Sequence, residues 1–117
     1  MGGELFLLES DLLFSSRIEG AATRSGLKVK IMVTMDQLKQ ALEESVPKAL
    51  LVNLDALPGV DRSLVGPLQG RCKLIGYYSH ADSKIASQAL ASGFEMIIPR
   101  RTFVDKLNEI FADISSS

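Results

Sequence analysis

Five short runs of almost wholly apolar residues alternate along the chain with longer stretches patterned for helix. The runs are Leu5-Phe6-Leu7-Leu8, VKIMV at 29–33, Leu50-Leu51-Val52, LIGYY at 74–78 and Met96-Ile97-Ile98. A strand that is apolar on both faces must be covered on both faces, which is the situation of a strand inside a parallel sheet. Parallel neighbours need crossover connections, and the intervening helices supply them. Right-handed crossovers then build a three-layer, doubly wound α/β domain. At 117 residues the chain suffices for one such core and is short for two. The expected domain runs over 1–114, with the polar 115–117 as a fraying tail.

The helical stretches carry their own start and stop signals. Ser10 or Asp11 can cap a first helix through about Ser25, with Phe14, Ile18, Ala21 and Ala22 on one face and Gly26 as its stop. Thr34 and Gln37 have the spacing of a capping box, followed by the stripe Leu38, Ala41, Leu42 and closed by Pro47. Residues 60–69 make a poor third helix: Val60, Leu64 and Leu68 share a face, but Gly66-Pro67 breaks it. Asp82 or Ser83 caps a fourth helix that carries Ile85, Ala89 and Leu90 and stops near Gly93. Thr102 is expected to cap a fifth, with Val104, Leu107, Ile110 and Phe111 facing inward.

Charge and composition exclude several functions. Thirteen basic residues face 14 acidic ones, for a net charge of −1, and no basic stripe argues for nucleic acid. The single cysteine, Cys72, excludes an internal disulfide and fits a reducing, cytoplasmic setting. One Cys and one His offer too few soft ligands for zinc. MGGELFLLESDLLF lacks a basic n-region and is interrupted by Glu4, Glu9 and Asp11, so neither a signal peptide nor a membrane span is expected.

In doubly wound sheets the functional face lies at the carboxyl ends of the strands. That rule yields a short list: Glu9, Ser10 and Asp11 after the first strand, Asn53 and Asp55 after the third, Ser79 and His80 after the fourth, and Arg100 and Arg101 after the fifth. In LLVNLDALPG, Asp55 reads either as a reactive carboxyl group at a strand tip or as an ordinary turn residue before Pro58-Gly59. Glu9 and Asp11 are explained equally by helix capping and by metal binding. His80 is either a solvated loop residue or a group that titrates near neutrality. Arg100-Arg101 reads as solvated charge or as an anion site. A Ser-His-Asp hydrolase is disfavoured, because Ser79, His80 and Asp82 are crowded in sequence and no G-x-S-x-G elbow exists.

LFLLESD, LLVNLDALPG, Tyr78-Ser79 and ALASGFEMIIPRR occur in an order and spacing that resemble the receiver domain of two-component response regulators, over essentially the whole chain. The resemblance implies a flavodoxin-like sheet of strand order 2-1-3-4-5. It aligns the first strand's acidic pair with Glu9-Ser10, the phosphoacceptor strand with residues 50–55, and the family's Ser/Thr with Ser79. The departures are as informative. Ser10 replaces one acid, and Asp11 is displaced by one residue. The family's proline follows its aspartate by four residues, yet four before Pro58 stands Leu54. Pro99 occupies the place of the family's lysine, with Arg100 adjacent, and Met96 that of its switch aromatic. Phosphoryl transfer depends on positioning and charge neutralisation, so these changes all weaken one reaction.

The resulting expectation is a degenerate receiver, or pseudo-receiver. It would be a signalling module and not an enzyme, would need no cofactor, and would bind a protein partner or itself through the face of helix 4, strand 5 and helix 5 (residues 82–111). The first alternative is a phosphoacceptor receiver with Asp55 as nucleophile, Mg²⁺ held by Glu9, Asp11 and Asp55, Ser79 on a phosphoryl oxygen and Arg100 in place of lysine. The second is an anion or small-ligand binder using His80, Arg100 and Arg101. Neither nucleic acid nor membrane is an expected partner.

Overall fold

A computed structural model describes residues 4–55, 65–79 and 83–116. Its elements are β1 (Glu4–Leu8), α1 (Leu12–Arg24), β2 (Lys28–Met32), α2 (Met35–Glu44), β3 (Ala49–Asn53), a 3₁₀ turn (Gly66–Leu68), β4 (Lys73–Tyr78), α3 (Ser83–Ser92), β5 (Met96–Pro99), α4 (Arg100–Asp105) and α5 (Leu107–Ser115). The strands form one parallel sheet in the order β2-β1-β3-β4-β5, as the resemblance implied.

Period-two side-chain alternation splits the apolar strands between two cores. Leu5, Leu7, Ala49, Leu51, Ile75 and Tyr77 face α1, α4 and α5, where Phe14, Ile18, Phe103, Leu107 and Phe111 cover them. Phe6, Leu8, Leu50, Val52, Leu54 and Leu74 face the opposite layer, with Leu38 of α2, Leu68 of the 3₁₀ turn and Ala89 of α3. The central strand β3 is buried along its whole length, whereas the edge strand β2 alternates and leaves Lys28 and Lys30 out of the core. Among the described residues, no helix is long and apolar enough to cross a membrane.

Local signals explain most boundaries. Asp11 caps α1 through its carboxyl group, which accepts from the Leu13 and Phe14 amides. Gly26 takes φ +77°, the left-handed value that ends a helix cheaply only for glycine. Thr34 and Gln37 form both halves of the capping box on α2.

Three expectations are corrected. Thr102 does not cap the last helix: Pro99, with φ −58°, already presets the turn, and α4 starts at Arg100. The helix is then interrupted at Lys106, which ends α4 and precedes α5, and this places Phe103 in the core while Val104 is only half-buried. Leu90 points outward from α3. α5 continues through Ser115, whose hydroxyl donates to the Ser25 carbonyl at 3.1 Å. Residues 56–64, including Pro58-Gly59 and Val60, lie outside the described residues, as do His80 and Asp82.

Gly76 lets β4 lie against the third strand's end. A Cβ there would meet Leu54 Cδ1 at 2.6 Å and Cγ at 2.9 Å. Gly76→Ala should therefore destabilise the fold by about 1–3 kcal/mol, the range for overpacking a close-fitted core. In urea melts the same change should cost less in a Leu54→Ala background. Equal costs in both backgrounds would show that Leu54 is not the obstacle.

Candidate functional site

One residue beyond the paired positions Leu8 and Val52, the parallel strands bring Glu9 beside Asn53, and Asn53 is in register with Tyr77. All three project into the α1 side of the sheet, the parity of Leu7, Leu51 and Ile75. Glu9 is only 2% exposed. Its Oε1 accepts from the Asn53 amide at 3.0 Å and from the Tyr77 hydroxyl at 2.7 Å. Its Oε2 accepts from the same Asn53 amide at 3.1 Å and from the Asp11 backbone N–H at 3.0 Å. A buried carboxyl group requires this degree of partnering, since an unpaired one is strongly disfavoured in a core. Burial, and then the bond to Glu9, push the Tyr77 hydroxyl far above its ordinary value, so it stays protonated and stays a donor.

The Asn53 carboxamide works at both ends. Its nitrogen bridges the two Glu9 oxygens, while its oxygen accepts from the Asp55 amide at 3.1 Å. That second contact is an Asx turn, and it sets the chain's path out of β3. Leu54, between them, faces the opposite layer and is buried. The odd register of Asp55 is thereby resolved: it shares the parity of Asn53 but lies past the end of the strand. Its carboxyl group accepts from the Ser79 hydroxyl at 2.6 Å and from the Ser79 amide. Asp55 thus ties the β3 exit to the β4 exit.

Asp11 and Arg100 form a second pair. Asp11 Oδ1 caps α1, and Oδ2 lies 3.5 Å from the Arg100 guanidinium. The Phe14 amide, foremost, with the Leu13 amide and Arg100, holds the Asp11 carboxyl below its usual range against a smaller opposing effect of burial. Arg100 Cζ also lies over the Phe14 ring, 3.8 Å from its centroid. Below it, Phe14 and Tyr77 lie 5.4 Å apart, and Tyr77 stacks on Phe103 at 4.6 Å with the rings 7° from parallel. Ser10 is exposed, and Arg101 lines a groove beside Arg17.

The sequence list is therefore divided into separate contacts. Glu9 and Asn53 meet, Asp55 and Ser79 meet, and Asp11 and Arg100 meet. Sequence reasoning missed Tyr77 and Phe14. The signal for Tyr77 was available: it precedes Ser79 by two, on the inward parity of a buried strand, and a buried tyrosine hydroxyl needs an acceptor.

The donor set does not suit Mg²⁺, which asks for free oxygen ligands in near-octahedral array. Both Glu9 oxygens are already engaged by Asn53, Tyr77 and the Asp11 amide, and the nitrogen nearest them is a donor. Asp11 is committed to a helix cap and to Arg100. Among the described residues no group of three or more His, Cys, Asp or Glu is placed to hold a metal ion.

No protein-family model and no curated protein matches this sequence. Solved structures do. A response regulator from Thermotoga maritima superposes with a TM-score of 0.79 at 13% identity, covering 100% of both chains. A CheY-like response regulator receiver domain from Methanospirillum hungatei gives 0.77 at 16%, covering 99% of this chain and 98% of that one. A receiver protein from Burkholderia phymatum gives 0.77 at 13%, covering 97% and 95%. The chain has the fold of response-regulator receiver domains from end to end.

Asn53→Asp tests the central contact. Aspartate cannot donate to Glu9, so two carboxyl groups about 3 Å apart would have to share a proton. A shared proton raises the folded-state affinity of the pair, so the variant's deficit should be largest at neutral pH and shrink as the pH falls towards about 5. Millimolar Mg²⁺ should raise the melting temperature of the variant and leave the wild type unmoved. A variant as stable as wild type at pH 7 would mean that the Asn53–Glu9 contact contributes nothing.

Proposed function

We propose that the chain is a signal-transduction module of receiver fold that works by protein–protein interaction, in the cytoplasm, without an aspartyl-phosphate cycle and without enzymatic activity of its own. The observation that carries this reading is Asn53. Its carboxamide fills the end of β3 and engages both oxygens of Glu9, where a phosphorylating pocket needs an aspartate and a cation. An amide cannot form an acyl phosphate, and an amide donor leaves no role for a metal between the two strands.

The interaction face that fits is the one formed by α3, β5 and α4, the expected face of residues 82–111. It exposes Leu90 at 67% and Met96 at 38%. β5 is an edge strand with half-buried Ile97 and Ile98, and edge strands with apolar neighbours are natural places for a second chain.

The alternative of Asp55 as phosphoacceptor has one contact in its favour, the Ser79 hydroxyl on its carboxyl group. Against it, Glu9 and Arg100 are both bound elsewhere, 3.0 Å from Asn53 and 3.5 Å from Asp11 respectively. Intact mass after incubation with acetyl phosphate and Mg²⁺ separates the two readings. The interaction reading expects no adduct. One phosphoryl mass gained by wild type and not by Asp55→Asn would establish Asp55 as the acceptor and end the pseudo-receiver reading.

The face is tested by sedimentation velocity across a concentration series. The wild type should show a rising sedimentation coefficient that Leu90→Glu with Met96→Glu abolishes. A wild type that stays monomeric at every concentration would move the interface away from self-association.

A further inference from the structure

The mouth of the sheet carries a groove of about 470 Å³ that none of the contacts described above fills. It opens between α1 and α4. Arg17 comes from α1, and Arg100 and Arg101 from the start of α4, with Asp105 as the one acid on the wall among the described residues. The balance is therefore three guanidinium groups against one carboxyl group. The apolar side is supplied by Phe14, Pro99 and Val104.

The three arginines are not equivalent. Arg100 lies between the Phe14 ring at 3.8 Å and Asp11 at 3.5 Å. Arg17 and Arg101 are exposed, and neither forms an ion pair with any of the described residues. Surface arginines usually end near an acid or spread into solvent. Guanidinium groups with no ion pair to the described residues, lining one groove with apolar walls beside a third arginine, suit an anion. Guanidinium presents a planar fork of donors that matches carboxylate or phosphate oxygens in pairs. The apolar side would be wasted on a bare inorganic ion, and the volume lies within the range of pockets for small organic ligands.

We infer that this groove binds a small organic anion, an aromatic or similarly flat apolar body bearing one carboxylate or phosphate group. The anionic end engages Arg17 and Arg101, and the body rests against Phe14, Pro99 and Val104. Ser79 lies on the same groove wall and is bonded to Asp55, so an occupant touches the link between the β3 and β4 exits. A ligand here would bias the carboxyl end of the sheet without phosphoryl chemistry. The inference does not depend on whether Asp55 is phosphorylated: an acetyl-phosphate adduct would end the pseudo-receiver reading and leave the groove as it is.

Isothermal titration of the full chain tests it, with phenyl phosphate and benzoate as probes, benzamide as the uncharged control and inorganic phosphate as the control without a body. Saturable binding of phenyl phosphate, benzoate or both is expected, with no binding of benzamide and weaker binding of inorganic phosphate. Whichever acid binds identifies the head group. In Arg17→Gln with Arg101→Gln the dissociation constant should rise about tenfold or more, the scale of one lost charge-assisted bond. Both residues are exposed, so the double variant should melt as wild type does, and its melt separates lost binding from lost folding. The inference is overturned by the absence of saturable heat from both organic acids, by equal affinity in the folded double variant, or by inorganic phosphate binding as tightly as phenyl phosphate. A polyglutamate peptide that binds more tightly than either acid would overturn it in favour of an acidic protein segment.

Discussion

The carboxyl end of this sheet is organised around one buried carboxyl group. Glu9 directly follows β1 and is sealed by its own fold. Burying it requires donors from both neighbouring directions. β3 supplies the Asn53 amide, β4 supplies the Tyr77 hydroxyl, and the turn into α1 supplies the Asp11 N–H. Each donor is tied to a further task. Asn53 turns the chain towards Asp55, Tyr77 stacks on Phe103, and Asp11 caps α1 and pairs with Arg100. The network is fully satisfied, and among the described residues no buried side-chain polar atom lacks a partner. A satisfied polar network of this kind specifies one arrangement, because any slip would strand a charged group in a core.

The same economy distinguishes this strand-end cluster from one whose polar groups are left open to solvent. A phosphorylating pocket keeps its carboxyl groups free for a cation and a phosphoryl group. Here the side chains that could serve are bound to one another: amide to carboxyl, hydroxyl to carboxyl, guanidinium to carboxyl and ring. Arg17 and Arg101, which form no ion pair with the described residues, line the groove beside α1 and α4.

Much of the scaffold was legible because its signals are local. The apolar runs marked the strands, Thr34 and Gln37 marked a helix start, and Gly26 marked a helix end. The errors arose where a local signal competed with a tertiary one. Thr102 has good capping chemistry, but Pro99 had already set the backbone for a helix from Arg100. Leu90 fits the apolar stripe of α3, yet the sheet is already covered on that side by Ala89 and Phe94. Of the candidate site, the residue types were readable and their pairings were not. Asn53, Asp55 and Ser79 are close in any list of strand ends. Only the registers of β3 against β1 and against β4 decide that Asn53 turns to Glu9 while Asp55 turns to Ser79.

The sequence alone determined the layer structure, since the alternation of fully apolar strands with amphipathic helices admits few other ways to bury both faces of a sheet. It also determined that the strand ends carry acids, amides and arginines. The tertiary structure decided which of them meet. Hydrogen bonds act over about 3 Å, and residues 44 to 68 positions apart, as Glu9 is from Asn53 and Tyr77, come that close only once the parallel register is set. Composition can place a carboxyl group at a strand end; whether it finds a cation, an amide or a hydroxyl is fixed by which strand lies beside it.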